Sequence, residues 1–492
     1  MSSLYRTNYH LRAHKRDAFI EFIKSLLLTP FVLHSAPKTD QLKSPGTKTL
    51  NHQFLNEVVA KGEADLDDPV DKNVERYSEI LGCIEDLIED HMIHDNSGMR
   101  DISRLTQLVP GVGKFFTGLP LKESFLDCNL KRSIASRTLV PPSFNDVKIL
   151  VNLVNKIKIQ VRHILNFAQV KAIAPTLKLI TFDGDMTLYA DGKDFARDSV
   201  LVALMIQLLA FDLYVAIVTA AGYGNDNVKY EKRLNGLLEG IQSSSALTLE
   251  QKKRFYVMGG ECNFLYSYNP VTSNLVYIPE ELYQPASMKL WSQDKKRIDT
   301  LLNVAHGCLI ENCERMSITE KTQIIRKDKA VGVICKPGFE LSREQLDELA
   351  LATQKRLNNF QHVQRVRLVY DVVLPKKRKA EENEISQLSA QNRCEPIPFC
   401  AFNGGSDVWV DVGNKLIGVG YQKQQNKLDV SVLMEKFQAV GNQTLHVGDQ
   451  FLSTGNDIST RSACCTSWIV GPEETAELLT ELTQKIEDYR NI

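Results

Sequence analysis

One segment restricts the possible folds of this 492-residue chain more than any other, namely residues 179–187, LITFDGDMT. Its apolar start predicts a buried strand, and Asp183 and Asp185 follow that strand directly. In open α/β sheets, ligands bind at the carboxyl ends of the strands, so we expect both carboxylates to face a crevice. The pair suits Mg²⁺, and it could combine nucleophilic attack on phosphorus with proton transfer. An ordinary turn rich in Asp and Gly is the alternative interpretation.

Two later strand ends carry polar groups that would complement these carboxylates. Thr219 ends the β-branched run 214–219, and a hydroxyl there could donate a hydrogen bond to a phosphoryl oxygen. Asp449 ends the run 444–449, and Asp457 follows in the same loop. Three strand ends that each carry a needed group are much harder to obtain by chance than one, so they predict a single phosphate-handling site.

The sequence also offers a cation for this site. Lys415 lies about one helix upstream of the third strand, where we expect it to neutralise a phosphoryl group, with a solvated surface lysine as the alternative. Asp457 could orient Lys415, or it could be the N-cap of a helix because polar residues follow it. His446, within the third strand, is interpreted as a packed histidine rather than a catalytic one.

The pattern of apolar residues divides the chain into three regions. Helical spacing predicts an all-helical region over residues 1–175. Alternating strand and helix signals predict an α/β core with a parallel sheet over residues 176–224 and 401–492. The intervening residues 225–400 are interpreted as an inserted α+β cap. Within the cap, residues 375–391 predict an exposed flexible loop, whose basic run is either a nuclear-localisation patch or a solvated turn.

Charge and cysteine usage exclude several classes of protein. The chain has 59 Lys and Arg against 60 Asp and Glu, so nothing favours a nucleic-acid or membrane-surface protein. No apolar run reaches the roughly 18–20 residues that a membrane-spanning helix needs. The ten cysteines show no zinc-site spacing, and the polar N-terminus lacks the apolar core of a signal peptide. We therefore expect a cytoplasmic protein with free thiols.

Taken together, the strand-end groups resemble the four motifs of the haloacid dehalogenase superfamily. The stretch GDQFLSTGND is most similar to its phosphomannomutase-like branch. Further segments resemble the IMP-specific 5′-nucleotidase family of fungi and apicomplexan parasites, among them TFDGDMTLYADG, VTAAGY, MGGECNFLY and FNGGSDVWVDVGNKLIGV. The resemblance covers nearly the whole chain. It implies a haloacid-dehalogenase-like Rossmannoid core with an inserted α+β cap and an N-terminal all-helical regulatory and oligomerisation domain.

The resemblance also implies a reaction and a set of site residues. The expected reaction is Mg²⁺-dependent hydrolysis of IMP to inosine and phosphate through an aspartyl-phosphate, in purine nucleotide salvage or degradation, with ATP as an activator. A homotetramer is implied as well. The resemblance implies that Asp183 is the nucleophile and a Mg²⁺ ligand, and that Asp185 is the proton donor and binds Mg²⁺ through its backbone carbonyl. It implies that Asp449 is a further Mg²⁺ ligand, supported by Asp457, and that His163 contacts ATP. The implied IMP contacts are Asp185, Asp191, Thr219, Asp407 and Lys415.

Several of these assignments have alternatives. Asp191 precedes Gly192 and could simply form a hairpin turn, and Asp407 could be ordinary loop polarity. His163 could be a packed histidine on an apolar helix. A phosphosugar phosphatase or phosphomutase on the same core is the alternative function, because the cap sets specificity. A non-catalytic nucleotide sensor is disfavoured, since it would not need both Asp183 and Asp185.

Overall fold

The structure is a computed structural model that describes residues 16–28, 69–137, 147–373, 396–419 and 432–491. The predicted loop 375–391 and its basic run lie outside these residues. The described chain separates into two compact units. The smaller unit comprises residues 18–112 and 118–168, and the larger unit contains residues 113–117 and 169–492 together with the N-terminal residues up to Asp17.

The smaller unit, in the part of it that the structure describes, is built from helices. Its core contains apolar side chains at helical spacing, such as Ile84 and Ile88, and these and Phe125 are fully buried. Tyr77 meets Phe125 edge-on, with ring centroids 5.8 Å apart. The helices are α1 (Ala18–Leu28), α2 (Pro69–Asn96), α3 (Arg104–Leu108), α4 (Leu121–Arg132), α5 (Ile134–Arg137) and α6 (Val147–Ile173), the last of which continues into the larger unit.

The described residues of the larger unit contain eleven strands in two sheets. Most are short runs of β-branched or aromatic residues, which pack well on a pleated surface. The strands are β1 (Leu179–Phe182), β2 (Tyr214–Val218), β3 (Phe255–Gly259), β4 (Phe264–Asn269), β5 (Asn274–Ile278), β6 (Thr322–Arg326), β7 (Ala330–Cys335), β8 (Phe399–Asn403), β9 (Val408–Val412), β10 (Thr444–Gly448) and β11 (Cys465–Trp468).

The main sheet has seven strands in the order β11-β10-β1-β2-β3-β4-β5. The first five of these strands are parallel, and β4 and β5 extend the sheet as an antiparallel hairpin. Leu179 of β1 is in register with Thr444 of β10 and with Tyr214 of β2. The carboxyl ends of β10, β1 and β2 therefore lie side by side at one edge of the sheet.

Helices cover the sheet and contribute the second element type of an α/β fold. On one face, Met205 and Leu208 pack with Leu479 and Leu482 from the C-terminal helix, all fully buried. No helix in the described ranges is both long and apolar enough to cross a bilayer. The helices of this unit are α7 (Val200–Ala210), α8 (Asn227–Arg233), α9 (Asn235–Ser243), α10 (Leu249–Lys252), α11 (Glu280–Tyr283), α12 (Ala286–Ser292), α13 (Lys295–Arg315), α14 (Arg343–Val373), α15 (Lys415–Val419), α16 (Val432–Lys436) and α17 (Pro472–Arg490).

The second sheet is antiparallel, in the order β6-β7-β9-β8, and it shows that the predicted cap boundaries were misplaced at both ends. Strands β3 to β5 fall within the predicted insert 225–400, yet they pair onto the main sheet. Strands β8 and β9 fall largely within the predicted core segment 401–492, yet they complete the second sheet. Strand propensity identifies a strand but not its partner, which tertiary pairing decides. The described strands of the second sheet and the helices that precede or join them lie within residues 280–373 and 396–412.

The end of helix α14 also differs from the sequence interpretation. The β-branched and aromatic residues of 365–374 predict a strand, whereas the structure continues the helix to Val373. No Gly or Pro interrupts the chain from Arg343 to Val373, and Pro375 follows. Without a helix-breaking residue, the helix that begins at Arg343 propagates through the β-branched run.

Candidate active site

The three polar strand ends predicted from the sequence meet at one edge of the main sheet. The backbone N–H of Asp183 donates to the carbonyl of Val447 in β10 at 2.9 Å, and that of Thr219 donates to the carbonyl of Met258 in β3 at 2.9 Å. Asp183, Asp185, Asp191, Thr219 and Asp407 line one cavity of about 1010 Å³. Parallel pairing in register brings Asp183 and Thr219 together, because it aligns the ends of β1 and β2.

Lys415 lies next to Asp183 and is completely buried. Its Nζ is 2.7 Å from Oδ1 of Asp183 and 2.6 Å from Oδ1 of Asp457. Burial alone would disfavour the ammonium charge, but the Asp183 and Asp457 carboxylates raise the pKa of Lys415 well above its usual value. The interpretation of Lys415 as a solvated surface lysine is therefore wrong.

Asp457 is held by three donors. Besides Lys415, Nε2 of His446 lies 2.9 Å from its Oδ1, and the N–H of Gln450 donates to its Oδ2 at 2.9 Å. Although burial opposes the charge, Lys415 and His446 hold the pKa of Asp457 below its ordinary value. Thr181 Oγ1 is 2.8 Å from the other ring nitrogen of His446. Asp457 thus contacts Lys415 directly, as an orienting group would, and His446 is a packed and hydrogen-bonded residue.

Three carboxylates form the cluster best suited to a metal ion among the described residues. Ligand oxygens of Asp183, Asp449 and Asp457 all lie within 4.8 Å of one another. Burial and the neighbouring acids raise the pKa of Asp449 to about 9, and burial raises that of Asp183 to about 6 even beside Lys415. Asp449 Oδ1 is buried and has no hydrogen-bond partner among the residues that the structure describes. An oxygen-only donor set with excess negative charge and an unsatisfied oxygen fits a hard divalent cation.

Asp185 is held in place by the segment that follows it and by one residue that the sequence did not reveal. Its Oδ1 accepts a hydrogen bond from the N–H of Gly192 at 3.1 Å and forms an ion pair with Arg233. The Arg233 guanidinium also lies over the ring of Tyr189, 5.1 Å from its centroid. Arg233 ends a charged helix that lies 48 residues from Asp185, so no local pattern could have indicated this contact.

Asp191 and Asp407 line the same cavity but come from different segments of the chain. Asp191 is exposed in a turn with Gly192, whose φ of +68° favours glycine, so it both forms the predicted turn and lines the cavity. Asp407 lies between β8 and β9 of the cap sheet. Its Oδ2 accepts from Nε1 of Trp409 at 2.9 Å, and burial raises its pKa.

Glu261 is a second residue to which the sequence assigned no role. It follows two glycines after β3, is completely buried, and accepts a hydrogen bond from Asn456 Nδ2 at 2.9 Å through Oε1. Burial raises the pKa of Glu261 to about 7, and nearby Lys415 opposes that rise. The unusual run Gly259-Gly260-Glu261 was the available signal, although spacing alone gave it no function.

His163 belongs to the smaller unit, on helix α6. Its Nε2 is 3.3 Å from Nη1 of Arg132, which lies on helix α4. Burial, Arg132 and Arg162 together lower the pKa of His163 to about 4, so the ring is neutral and can accept from Arg132. The histidine is packed, as the alternative interpretation held, and it also lies beside two guanidinium groups.

Comparison with known proteins gives one consistent answer. A family model described as IMP-specific 5′-nucleotidase matches residues 1–479. The IMP-specific 5′-nucleotidase 1 of Yarrowia lipolytica is 39% identical over 495 residues, which cover 100% of this chain and 99% of that protein. The protein of the same name from Debaryomyces hansenii is 38% identical over 512 residues and is covered to 99%, as is this chain.

Solved structures agree with these sequence matches. An IMP-bound, N-terminally truncated IMP-nucleotidase of Plasmodium falciparum superimposes with a TM-score of 0.67 at 29% identity, covering 95% of this chain and 96% of that one. An ATP-bound structure of the Plasmodium falciparum enzyme gives a TM-score of 0.63 at 28% identity, covering 98% and 88%. With its haloacid-dehalogenase-like fold and its strand-end acids, the chain belongs to the IMP-specific 5′-nucleotidase family of phosphomonoester hydrolases.

Proposed function

We propose that this protein hydrolyses IMP to inosine and phosphate and that Asp183 carries the phosphoryl group between two chemical steps. The observation that carries the proposal is the placement of the Asp183 carboxylate, at a strand end, beside a large cavity and 2.7 Å from a buried lysine ammonium. The family and the IMP-bound Plasmodium falciparum structure support IMP as the substrate.

The residues of the site can divide the reaction between them. In the first step, an Asp183 oxygen bonds to phosphorus while the bond from phosphorus to O5′ breaks, and protonated Asp185 gives its proton to O5′. In the second step, Asp185 takes a proton from water, the water oxygen bonds to phosphorus, and the bond to Asp183 breaks. Arg233 and the Gly192 N–H hold the Asp185 carboxylate at one oxygen during both steps.

Charge on the transferred group must be balanced throughout. Lys415 is fixed next to Asp183 by Asp457, so its ammonium needs no rearrangement when the phosphoryl group arrives. Thr219 can donate its hydroxyl proton to a phosphoryl oxygen. Asp183 and Asp449, with the backbone carbonyl of Asp185, would hold Mg²⁺, as the unsatisfied Asp449 oxygen suggests. When bound, Mg²⁺ would supply positive charge that polarises the phosphoryl oxygens.

We further propose that ATP activates the enzyme through the smaller unit, near His163. Arg132 and Arg162 lie close enough to His163 to lower its pKa, so this part of helix α6 concentrates positive charge that would suit a polyphosphate. The ATP-bound Plasmodium falciparum structure supports an ATP site in this family. The homotetramer and the cytoplasmic location stay predictions from the sequence.

One panel experiment tests the proposed reaction. Phosphate release is measured from IMP, AMP, GMP, a sugar phosphate and p-nitrophenyl phosphate, each with and without Mg²⁺ and ATP. We expect IMP to be the preferred substrate, with no turnover in EDTA and a lower half-saturating IMP concentration with ATP. A clear preference for the sugar phosphate would instead support the phosphosugar phosphatase, and no hydrolysis of any substrate would contradict the proposal.

A further inference from the structure

Glu261 occupies a backbone conformation that its side chain does not favour. It lies in the loop between β3 and β4 with a φ of +50°, between Gly260 at +61° and Cys262 at +74°. A non-glycine residue in this left-handed region costs on the order of 1–2 kcal/mol, and here two such residues are adjacent. Strain of this kind is kept where the surrounding structure uses it, most often at a functional site.

The same residue contacts the three segments that carry the phosphate-site side chains. Its N–H donates to the carbonyl of Thr219 at 3.3 Å. Its carbonyl oxygen lies so close to Gly413 that a Cβ there would be 2.4 Å away, and Gly413 is two residues before Lys415. Its Oε1 accepts from Nδ2 of Asn456, the residue before Asp457. Glu261 therefore contacts all three of these segments and links them to one another.

The hydrogen bond to Asn456 has a chemical consequence. Because Oε1 of Glu261 accepts from Nδ2 of Asn456, the amide oxygen of Asn456 is directed elsewhere. Asn456 lines the cavity, and its Oδ1 is buried with no hydrogen-bond partner in the described part of the chain. Asp449 Oδ1 is also without one. Unpaired acceptors beside an acidic cluster suit the hydrogen-bond donors of a hydrated cation, since bound waters donate.

We propose that Glu261 is a positioning residue for hydrolysis. It fixes the Asn456 amide so that the amide oxygen would accept a hydrogen bond from water on a bound cation. It also keeps the turn that carries Asp457 aligned with Lys415. This inference rests on the proposed reaction and metal site. It assigns Glu261 no contact with substrate, because the residue acts through Asn456. Outer partners of this kind typically change metal affinity or activity by about 10–100-fold when they are removed.

A double-mutant cycle tests the connection between the two residues. The variants are Glu261→Ala, Asn456→Ala and the double variant, with Glu239→Ala, an exposed acid paired with Arg197, as the control. The measurements are kcat, the half-saturating Mg²⁺ concentration, and the rise in Tm that Mg²⁺ causes, which needs no turnover. We expect each single variant to raise the half-saturating Mg²⁺ concentration about 10–100-fold, and the double variant to equal Asn456→Ala alone.

Independent, multiplicative losses in the double variant would overturn the proposal, as would a wild-type response to Mg²⁺ in Glu261→Ala. Wild-type enzyme that releases no phosphate from IMP would contradict the proposed function instead. In that case the Mg²⁺-dependent Tm still decides whether Glu261 acts through Asn456. The two failures are therefore distinguishable.

A second set of variants exchanges the carboxylate and amide groups of the two residues while keeping the side-chain volumes. It tests the proposal even if the alanine variants do not fold. Glu261→Gln retains an acceptor for Asn456, so we expect nearly wild-type kcat. Asn456→Asp sets two carboxylates against each other and should lower kcat and Tm. The combined Glu261→Gln, Asn456→Asp protein restores a donor–acceptor pair with reversed polarity, so both quantities should recover. Equal kcat and Tm in Asn456→Asp and in the combined protein would overturn the proposal.

Discussion

Replacing Lys415 with methionine should destabilise the protein far more than removal of a surface lysine does. The lysine is completely buried and forms two ion pairs of 2.7 and 2.6 Å, with Asp183 and Asp457. Methionine has a similar volume, so the loss of packing is small. Removing one partner of a buried ion pair costs about 3–5 kcal/mol, because the remaining charges stay buried without compensation. We expect a loss of that size in the free energy of unfolding.

The measurement is urea unfolding of wild type and Lys415→Met in EDTA at pH 8 and at pH 5.5. Asp183 already has a pKa raised to about 6, and losing the ammonium raises it further. A carboxyl with a raised folded-state pKa destabilises the protein above that pKa and ceases to do so once it is protonated. The difference between wild type and variant should therefore shrink at the lower pH.

Lys229→Met is the matched control. Lys229 pairs with Asp226 at 3.1 Å on an exposed helix, so its removal should cost less than about 1 kcal/mol at either pH. A loss in Lys415→Met as small as the control's would refute the reasoning, because it would mean that the buried carboxylates are compensated by other groups. A loss that is the same at pH 8 and at pH 5.5 would show that Asp183 is not the charge left uncompensated.

Four further outcomes can be checked. Asp183→Asn should abolish phosphate release from IMP without lowering Tm, because an amide is a poor nucleophile, whereas Asp198→Asn at an exposed position should behave as wild type. EDTA should stop turnover and Mg²⁺ should restore it, while Ca²⁺, with its looser coordination, should bind without supporting turnover; activity after full chelation would remove the metal from the reaction. His163→Ala should weaken the ATP effect on the rate-versus-IMP curve and leave the rate at saturating IMP unchanged; an equal ATP effect in both proteins would place the effector elsewhere. The pKa of His163 is lowered from 6.5 to about 4, so between these pH values the unfolded chain binds a proton at this residue and the folded chain does not. The free energy of unfolding should therefore fall less steeply with decreasing pH in His163→Gln than in wild type.

The sequence was informative about the strand ends because the relevant signals are local. A buried strand followed at once by an acid can be recognised in a few residues, and parallel pairing then brings such ends together without further information. Asp183, Thr219 and Asp449 were found in this way. An ion pair between Lys415 and Asp457 could be suspected from their positions before and after the third strand, although only the structure shows the distance of 2.6 Å between Nζ and Oδ1.

The contacts that escaped prediction are those set by pairing between distant segments. The sequences of β3 to β5 do not indicate that these strands extend the main sheet, because the same pattern of apolar and polar residues would suit a strand of the cap. Arg233 reaches Asp185 across 48 residues from a helix whose charged composition is typical of a solvated surface. The position of Glu261 depends on a left-handed backbone conformation, which the preceding glycines permit but which cannot be predicted from them.

The membership of β8 and β9 in the second sheet decides where this protein can be divided. A hybrid that exchanges substrate preference between relatives would have to be joined after β5 and again at Gly413, so that the whole segment 280–412 is transplanted. A junction near residue 400 would separate β8 and β9 from β7, to which β9 is paired through Val331 and Val410. Strands β7 and β9 would then come from different parents, and a poor match between them would expose the edge of β7, which is a template for aggregation. Recombination between relatives is expected to be tolerated at the first pair of junctions and to yield insoluble protein at the second.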